Sequence, residues 1–241
     1  MMGVLSDDAV KADWLKAFER LAVEGKIRLD MTEPGHHDGW GLAGYPRPGF
    51  PRYLEREPHS VTLDPGHFRE GTEFLERSGS KAALVHFRKA SEGGRSIANT
   101  HPFLYKEWAF CHNGTIFDHE SIPLGRLRSS GGTDSERFFL YLMEHLDPGD
   151  PEGSIRKAAE EIRSGFRYSS LTFLLTDGKS LYAYRELDLE YSDYYTLYLA
   201  RSGGSWLAAS EPLRIAGLEW EPVAPGSFLK LDCEKPAQVV E

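Results

Sequence analysis

The spacing of apolar residues along this chain changes several times, and each change marks a predicted element. Met2-Gly3-Val4-Leu5 is an unbroken, largely apolar run that reads as a buried strand. Ser6-Asp7-Asp8 offers a helix entry, and Val10, Trp14, Phe18 and Leu21 recur at helical spacing. An amphipathic helix is therefore expected over Asp8–Val23. Trp40–Tyr45 reads as a glycine-spaced strand, and Tyr45–Pro51 as a proline-rich loop. Phe68–Arg77 reads as a helix. Ala82–Arg88 reads as a strand with Val85 and Phe87 on one face and His86 and Arg88 on the other.

Further on, Trp108–His112 and Thr115–Phe117 flank Asn113-Gly114, a strong hairpin signal. Helices are expected over Thr133–Leu146 and Gly153–Arg163, with the turn Asp147-Pro148-Gly149-Asp150-Pro151 between them. The last third reads as strands: Leu171–Thr176, Ser180–Arg185, Tyr194–Ala200, Ser205–Ala209 and Ser227–Leu231. Strands, a helical pair, then strands again make an α+β fold, and periodicity alone goes no further.

Composition narrows the function classes. At 241 residues with no compositional break, one domain spanning 1–241 is expected. A net charge of −9 with scattered basic residues argues against nucleic acid or an anionic membrane as partner. No apolar run approaches the roughly 20 residues that span a bilayer. No basic-then-apolar leader opens the chain, so a cytoplasmic location is expected. Two cysteines, Cys111 and Cys233, are too few for a disulfide framework and lack zinc-site spacing. His36 and His37 are adjacent and point apart on an extended chain, so packing and pocket-rim roles are expected rather than a metal site. No metal or cofactor is expected.

Three positions carry candidate chemistry. Arg88 ends a strand, where a guanidinium can meet a carboxylate through two parallel hydrogen bonds, although spacing alone favours a surface arginine in a weak ion pair. Asn113-Gly114 reads first as a turn. A fixed turn can also aim an amide and a backbone N–H at one point, as an oxyanion hole requires. Asp134 lies in the capping box Thr133-Asp134-Ser135-Glu136, where an acid is favoured by the helix dipole whatever else it does.

Four segments in order, Val85–Ser91, Asn99–Phe103, Cys111–Ile116 and Gly132–Glu136, resemble the class II glutamine amidotransferases. The likeness is to the short stand-alone members, whose glutaminase domain is an N-terminal-nucleophile hydrolase, and its specific motifs span Met1–Leu146. The resemblance implies a four-layer αββα sandwich of two antiparallel sheets. It implies that Arg88 binds the α-carboxylate of glutamine, that Ser91 lines the same pocket and that Asp134 holds the α-ammonium. Asn113 and Gly114 correspond to the family's oxyanion hole, and Asn99–Phe103 to a structural loop beside the pocket.

The family's nucleophile is a cysteine at the mature N-terminus, where its own α-amine, near neutral at working pH, serves as base. Cys111 and Cys233 offer no such amine and read as buried, inert thiols. Family members begin Met-Cys-Arg, two apolar residues and glycine, and Met1-Met2-Gly3 fits the last three of those positions. The expectation is a start assigned or cloned three residues late, with loss of the cysteine as the alternative, and inactivity of the chain as written. The expected ligand is glutamine or a γ-glutamyl compound. A γ-glutamyl peptide hydrolase and a non-catalytic glutamine sensor remain open, and amidotransfer needs a separate acceptor subunit.

Overall fold

The computed structural model describes residues 1–27, 33–46, 53–91, 93–234 and 237–239. The first strands in chain order are β1 (Met2–Leu5), β2 (Trp40–Gly44), β3 (Tyr53–Glu57), β4 (Ala82–Phe87), β5 (Phe103–Tyr105) and β6 (Trp108–Asn113). They are followed by β7 (Thr172–Thr176), β8 (Leu181–Arg185), β9 (Tyr198–Ser202), β10 (Ser205–Ala209), β11 (Glu221–Pro222), β12 (Ser227–Leu231) and β13 (Gln238–Val239). One sheet has the order β11-β9-β10-β1-β4-β2-β3, the other β13-β12-β8-β7-β6-β5. Every pairing in both is antiparallel.

Three separate apolar cores show how the sheets stack. Leu5, Leu84, Ala109, Cys111, Leu174 and Leu181 fill the space between the two sheets. The other face of the first sheet, through Met2, Val4, Leu42 and Val85, packs against Trp14, Leu15, Phe68 and Leu75. These last four lie on α1 (Ala12–Lys16) and α3 (Pro65–Arg77), with α2 (Leu21–Glu24) beside them. The other face of the second sheet, through Phe110, Phe173 and Tyr184, packs against Phe138, Leu142, Ile155 and Ile162. Those residues belong to α4 (Asp134–Glu144) and α5 (Pro151–Gly165). Alternate strand residues thus feed alternate cores, and the layers run αββα as the family resemblance implies.

Several expectations need correction. The helix expected over Asp8–Val23 is three short pieces: α1, a tighter turn at Ala17–Arg20, and α2. Ser6-Asp7-Asp8 is not its entry, because tertiary bonds claim that segment: Ser6 N–H donates to Lys81 O, and Ser205 Oγ donates to an Asp7 carboxylate oxygen. The strand expected at Tyr194–Ala200 runs instead over Tyr198–Ser202. β3 escapes a periodicity search because Tyr53-Leu54-Glu55-Arg56-Glu57 is half-buried throughout, with no apolar alternation. The tip of the loop expected over Tyr45–Pro51 lies outside the described residues.

The hairpin reading of Asn113-Gly114 fails, and the reason shapes the site. Asn113 is the last residue of β6 and pairs with Thr172, while Thr115–Phe117 forms no strand. The chain runs on alongside the segment before β7: Thr115 N–H donates to Ser169 Oγ at 3.1 Å, and Ser169 N–H to Thr115 O at 2.9 Å. A side-chain carbon on Gly114 would fall 1.9 Å from Ser170 O, so this close approach, rather than a turn, demands glycine.

Candidate active site

β4 lies inside the first sheet between β1 and β2, and Arg88 is the residue immediately after it. Arg88 N–H donates to Gly39 O at 2.7 Å, and Asp38 N–H donates to Arg88 O at 2.9 Å, so its backbone is held from one side. Arg88 is 4% exposed, and its guanidinium donates to Gly93 O at 3.2 Å and Gly94 O at 3.4 Å. Burial pulls the guanidinium's basicity down while the carboxylates of Asp38 and Asp134 push it back up. An arginine so placed stays charged.

Asp38 braces the same loop from below. It accepts Ala90 N–H at 2.9 Å and the Arg95 guanidinium at 2.6 Å. Burial opposes its ionisation, but these hydrogen bonds and the Arg95 and Arg88 charges hold its carboxyl below the usual range. Asn99 stitches the loop's other side, donating to Gly94 O at 2.9 Å and accepting Gly132 N–H at 2.9 Å. The Asn99–Phe103 segment therefore ties the Arg88 loop to the start of α4.

Thr133 caps α4, accepting Glu136 N–H at 3.2 Å, but the Glu136 carboxylate does not return to Thr133. It accepts Ser130 N–H and Gly131 N–H instead, ordering the loop before the helix. Asp134, 3% exposed, opens the helix and accepts Ile116 N–H at 2.8 Å. Ser91 Oγ accepts a hydrogen bond from Thr115 Oγ1 at 2.9 Å. His112 bridges the two sides: a carbonyl can only accept, so Nε2–H donates to Ser170 O at 3.0 Å, and Nδ1 accepts Ser135 Oγ–H at 2.9 Å. Burial, opposed by Asp134, pushes His112 below its ordinary value and keeps it neutral.

Arg88, Ser91, Asn113, Gly114 and Asp134 all line one cleft at the end of β4 and β6, and Met1 lines it with them. The Met1 α-amine donates to Ser210 Oγ at 3.1 Å, and Ser210 N–H donates to Met1 O at 3.0 Å. Burial pulls that amine down to about 5, against a smaller upward push from Cys111 and Glu211. Cys111 lies behind the cleft in the core between the sheets, where burial raises its thiol far above the ordinary value. Its chemistry is that of a packed apolar residue.

Sequence reasoning missed Lys26, Tyr194, Tyr195, Ser210 and Glu211, which also line the cleft. They come from distant parts of the chain and carry no local signal. His86 was visible through its strand alternation with Arg88, and it faces the cleft as that alternation requires. A cation, an acid and an Asn-Gly pair around one buried cleft can bind a zwitterion and stabilise charge developing on an oxygen between them.

A family model described as glutamine amidotransferases class-II matches residues 21–196. An uncharacterized protein of Methanocaldococcus jannaschii is 33% identical over 159 residues, 63% of this chain and 43% of that protein. Among solved structures, a glutamine aminotransferase class-II domain protein from Silicibacter pomeroyi aligns over 100% of this chain and 97% of its own, with TM-score 0.64 and 22% identity. The glutamine phosphoribosylpyrophosphate amidotransferase of B. subtilis aligns over 99% of this chain and 48% of its own, with TM-score 0.69 and 15% identity. At those identities the structures share the fold. The alignments with the first three curated relatives cover 43%, 63% and 58% of their lengths.

Proposed function

We propose that this chain, which belongs to the class II glutamine amidotransferases, works as a single domain that hydrolyses the γ-carboxamide of glutamine. The observation that carries the reading is the convergence of Arg88, Asp134 and Asn113-Gly114 on one cleft beside Met1, the residue that precedes β1. In this reading Arg88 grips the α-carboxylate and Asp134 the α-ammonium, with Ser91 beside them. The Asn113 amide and Gly114 N–H stabilise the oxyanion.

The nucleophile we assign is a cysteine two residues before Met1. Strand register supports that position. β1 and β4 pair antiparallel with Met2 opposite Val85, so continuing the ladder sets Met1 opposite His86 and the second preceding residue opposite Arg88. Facing residues of an antiparallel pair share a face, and that face is the one turned toward the second sheet. A cysteine there directs its sulfur into the cleft.

Its sulfur attacks the γ-carbonyl carbon, the C–N bond breaks, and ammonia leaves with the thiol proton delivered through the α-amine. Water then adds to the γ-glutamyl thioester, the C–S bond breaks, and glutamate and free thiol result. Transfer of the ammonia to an acceptor falls to a separate subunit. A chain that starts at Met1 is inactive in this reading. A glutaminase assay of the chain extended by Met-Cys-Arg, beside the chain starting at Met1, tests it. Turnover in the extended form alone supports the reading, and no turnover in either overturns it.

A further inference from the structure

Three imidazole nitrogens in the cleft wall are buried with no hydrogen-bond partner among the described residues: Nδ1 of His86 and both ring nitrogens of His101. His86 and His101 are 7% and 4% exposed, both line the cleft, and their rings stack with centroids 4.2 Å apart. His86 Nε2–H donates to His112 O at 3.2 Å, which leaves Nδ1 as a bare acceptor. A neutral His101 adds one N–H donor and one acceptor. Burial and the neighbouring histidines push both rings well below their ordinary value, so neither becomes a cation at working pH.

Buried polar groups in folded proteins are satisfied by protein or by ordered solvent. A water can donate to His86 Nδ1 while it pairs with one ring nitrogen of His101, and it is the smallest molecule that does so; the other His101 nitrogen points away from that position and takes a partner of its own. A metal does not fit, since among the described residues no three His, Cys, Asp or Glu side chains converge. The wall also stands close to the chemistry. His86 is the cleft-facing residue before Arg88 on β4, one two-residue step of about 7 Å along the strand.

We propose that the His86–His101 pair holds the water that hydrolyses the γ-glutamyl thioester, an assignment that rests on the glutaminase reading above. The water oxygen bonds to the γ-carbonyl carbon as the C–S electron pair returns to sulfur. The proton released passes through the cysteine α-amine to that sulfur. The two neutral rings orient the water, and because they stay neutral they present the same acceptors across the working pH range.

The test uses the Met-Cys-Arg extended chain and its His101→Phe and His101→Asn variants in rapid-quench assays with glutamine. Phenylalanine keeps the ring stack and removes the polar atoms, whereas asparagine keeps a donor and an acceptor. For His101→Phe we expect a burst of ammonia at the parent's rate, an accumulated thioester, and steady-state turnover lowered about tenfold or more. His101→Asn recovers part of that loss, and hydroxylamine, a stronger nucleophile, relieves the block in His101→Phe. Burst and steady state falling together, or neither falling, overturns the proposal. An extended parent without turnover sinks the glutaminase reading instead. A high-resolution crystal structure of the chain starting at Met1 then decides the water site alone, where a water bridging His86 Nδ1 and His101 supports it and no density there overturns it.

Discussion

Asp134 accepts the Ile116 N–H at 2.8 Å, so the acid that opens α4 is fastened two residues past Gly114. The anionic end of the cleft and the Asn113-Gly114 segment are therefore one rigid unit. Changes at Asp134 should separate into charge and anchoring effects. In the extended chain, Asp134→Asn keeps an oxygen for Ile116 and loses the charge. We expect kcat/KM for glutamine to fall by about 2–3 kcal/mol with little change in Tm. Asp134→Ala loses both, and unfolding should show a further cost of about 1–3 kcal/mol. Equal Tm losses for the two variants would contradict the division.

Arg88 should behave as a substrate anchor. Arg88→Ala in the extended chain is expected to cost about 2–3 kcal/mol in kcat/KM, as for a charged hydrogen bond to substrate. Steady-state kinetics with glutamine check it, and unchanged values would contradict a substrate-binding role for Arg88.

Asn113 should act in the transition state rather than in binding. Asn113→Ala is expected to lower kcat by about 10²–10³-fold with KM nearly unchanged. A rise in KM at constant kcat would instead assign the side chain to ground-state binding.

Acid should destabilise the protein earlier than its carboxylates require. His86, His101 and His112 are buried and His36 is half-buried, and desolvation is the largest cause of the fall in each, taking His36 to about 3. Unfolded histidines titrate near 6.5, so below that pH the unfolded chain binds more protons than the folded one. The stability these neutral rings contribute is present above about pH 6.5 and drains away as pH falls, by up to about 1.4 kcal/mol per pH unit for each ring. Urea unfolding between about pH 7.5 and pH 5 measures the slope, which His101→Phe should flatten. Stability that rises on acidification would contradict the burial of these rings as neutral groups.

These residues also show what the sequence could reveal. β4 is readable because five apolar residues, Ala82–Val85 and Phe87, precede Arg88, and the alternation at its end sends His86 and Arg88 into the cleft. Thr133 and the apolar stripe behind it announced α4, since capping and periodicity are local. Asn113-Gly114 misled because a local turn preference was overruled by contact with Ser170, far along the chain. The partnering of Asn99 with Gly94 and Gly132, and of Met1 with Ser210, is likewise long-range. Local pattern carries no trace of it.

Calorimetric titration of L-glutamine into the chain starting at Met1 measures the central relationship without any turnover. A zwitterion clamped between Arg88 and Asp134 predicts binding by L-glutamine, much weaker binding by its analogue lacking the α-ammonium, and loss of that discrimination in Asp134→Asn. Equal affinity for both ligands, or discrimination that survives the loss of the Asp134 charge, would contradict the account.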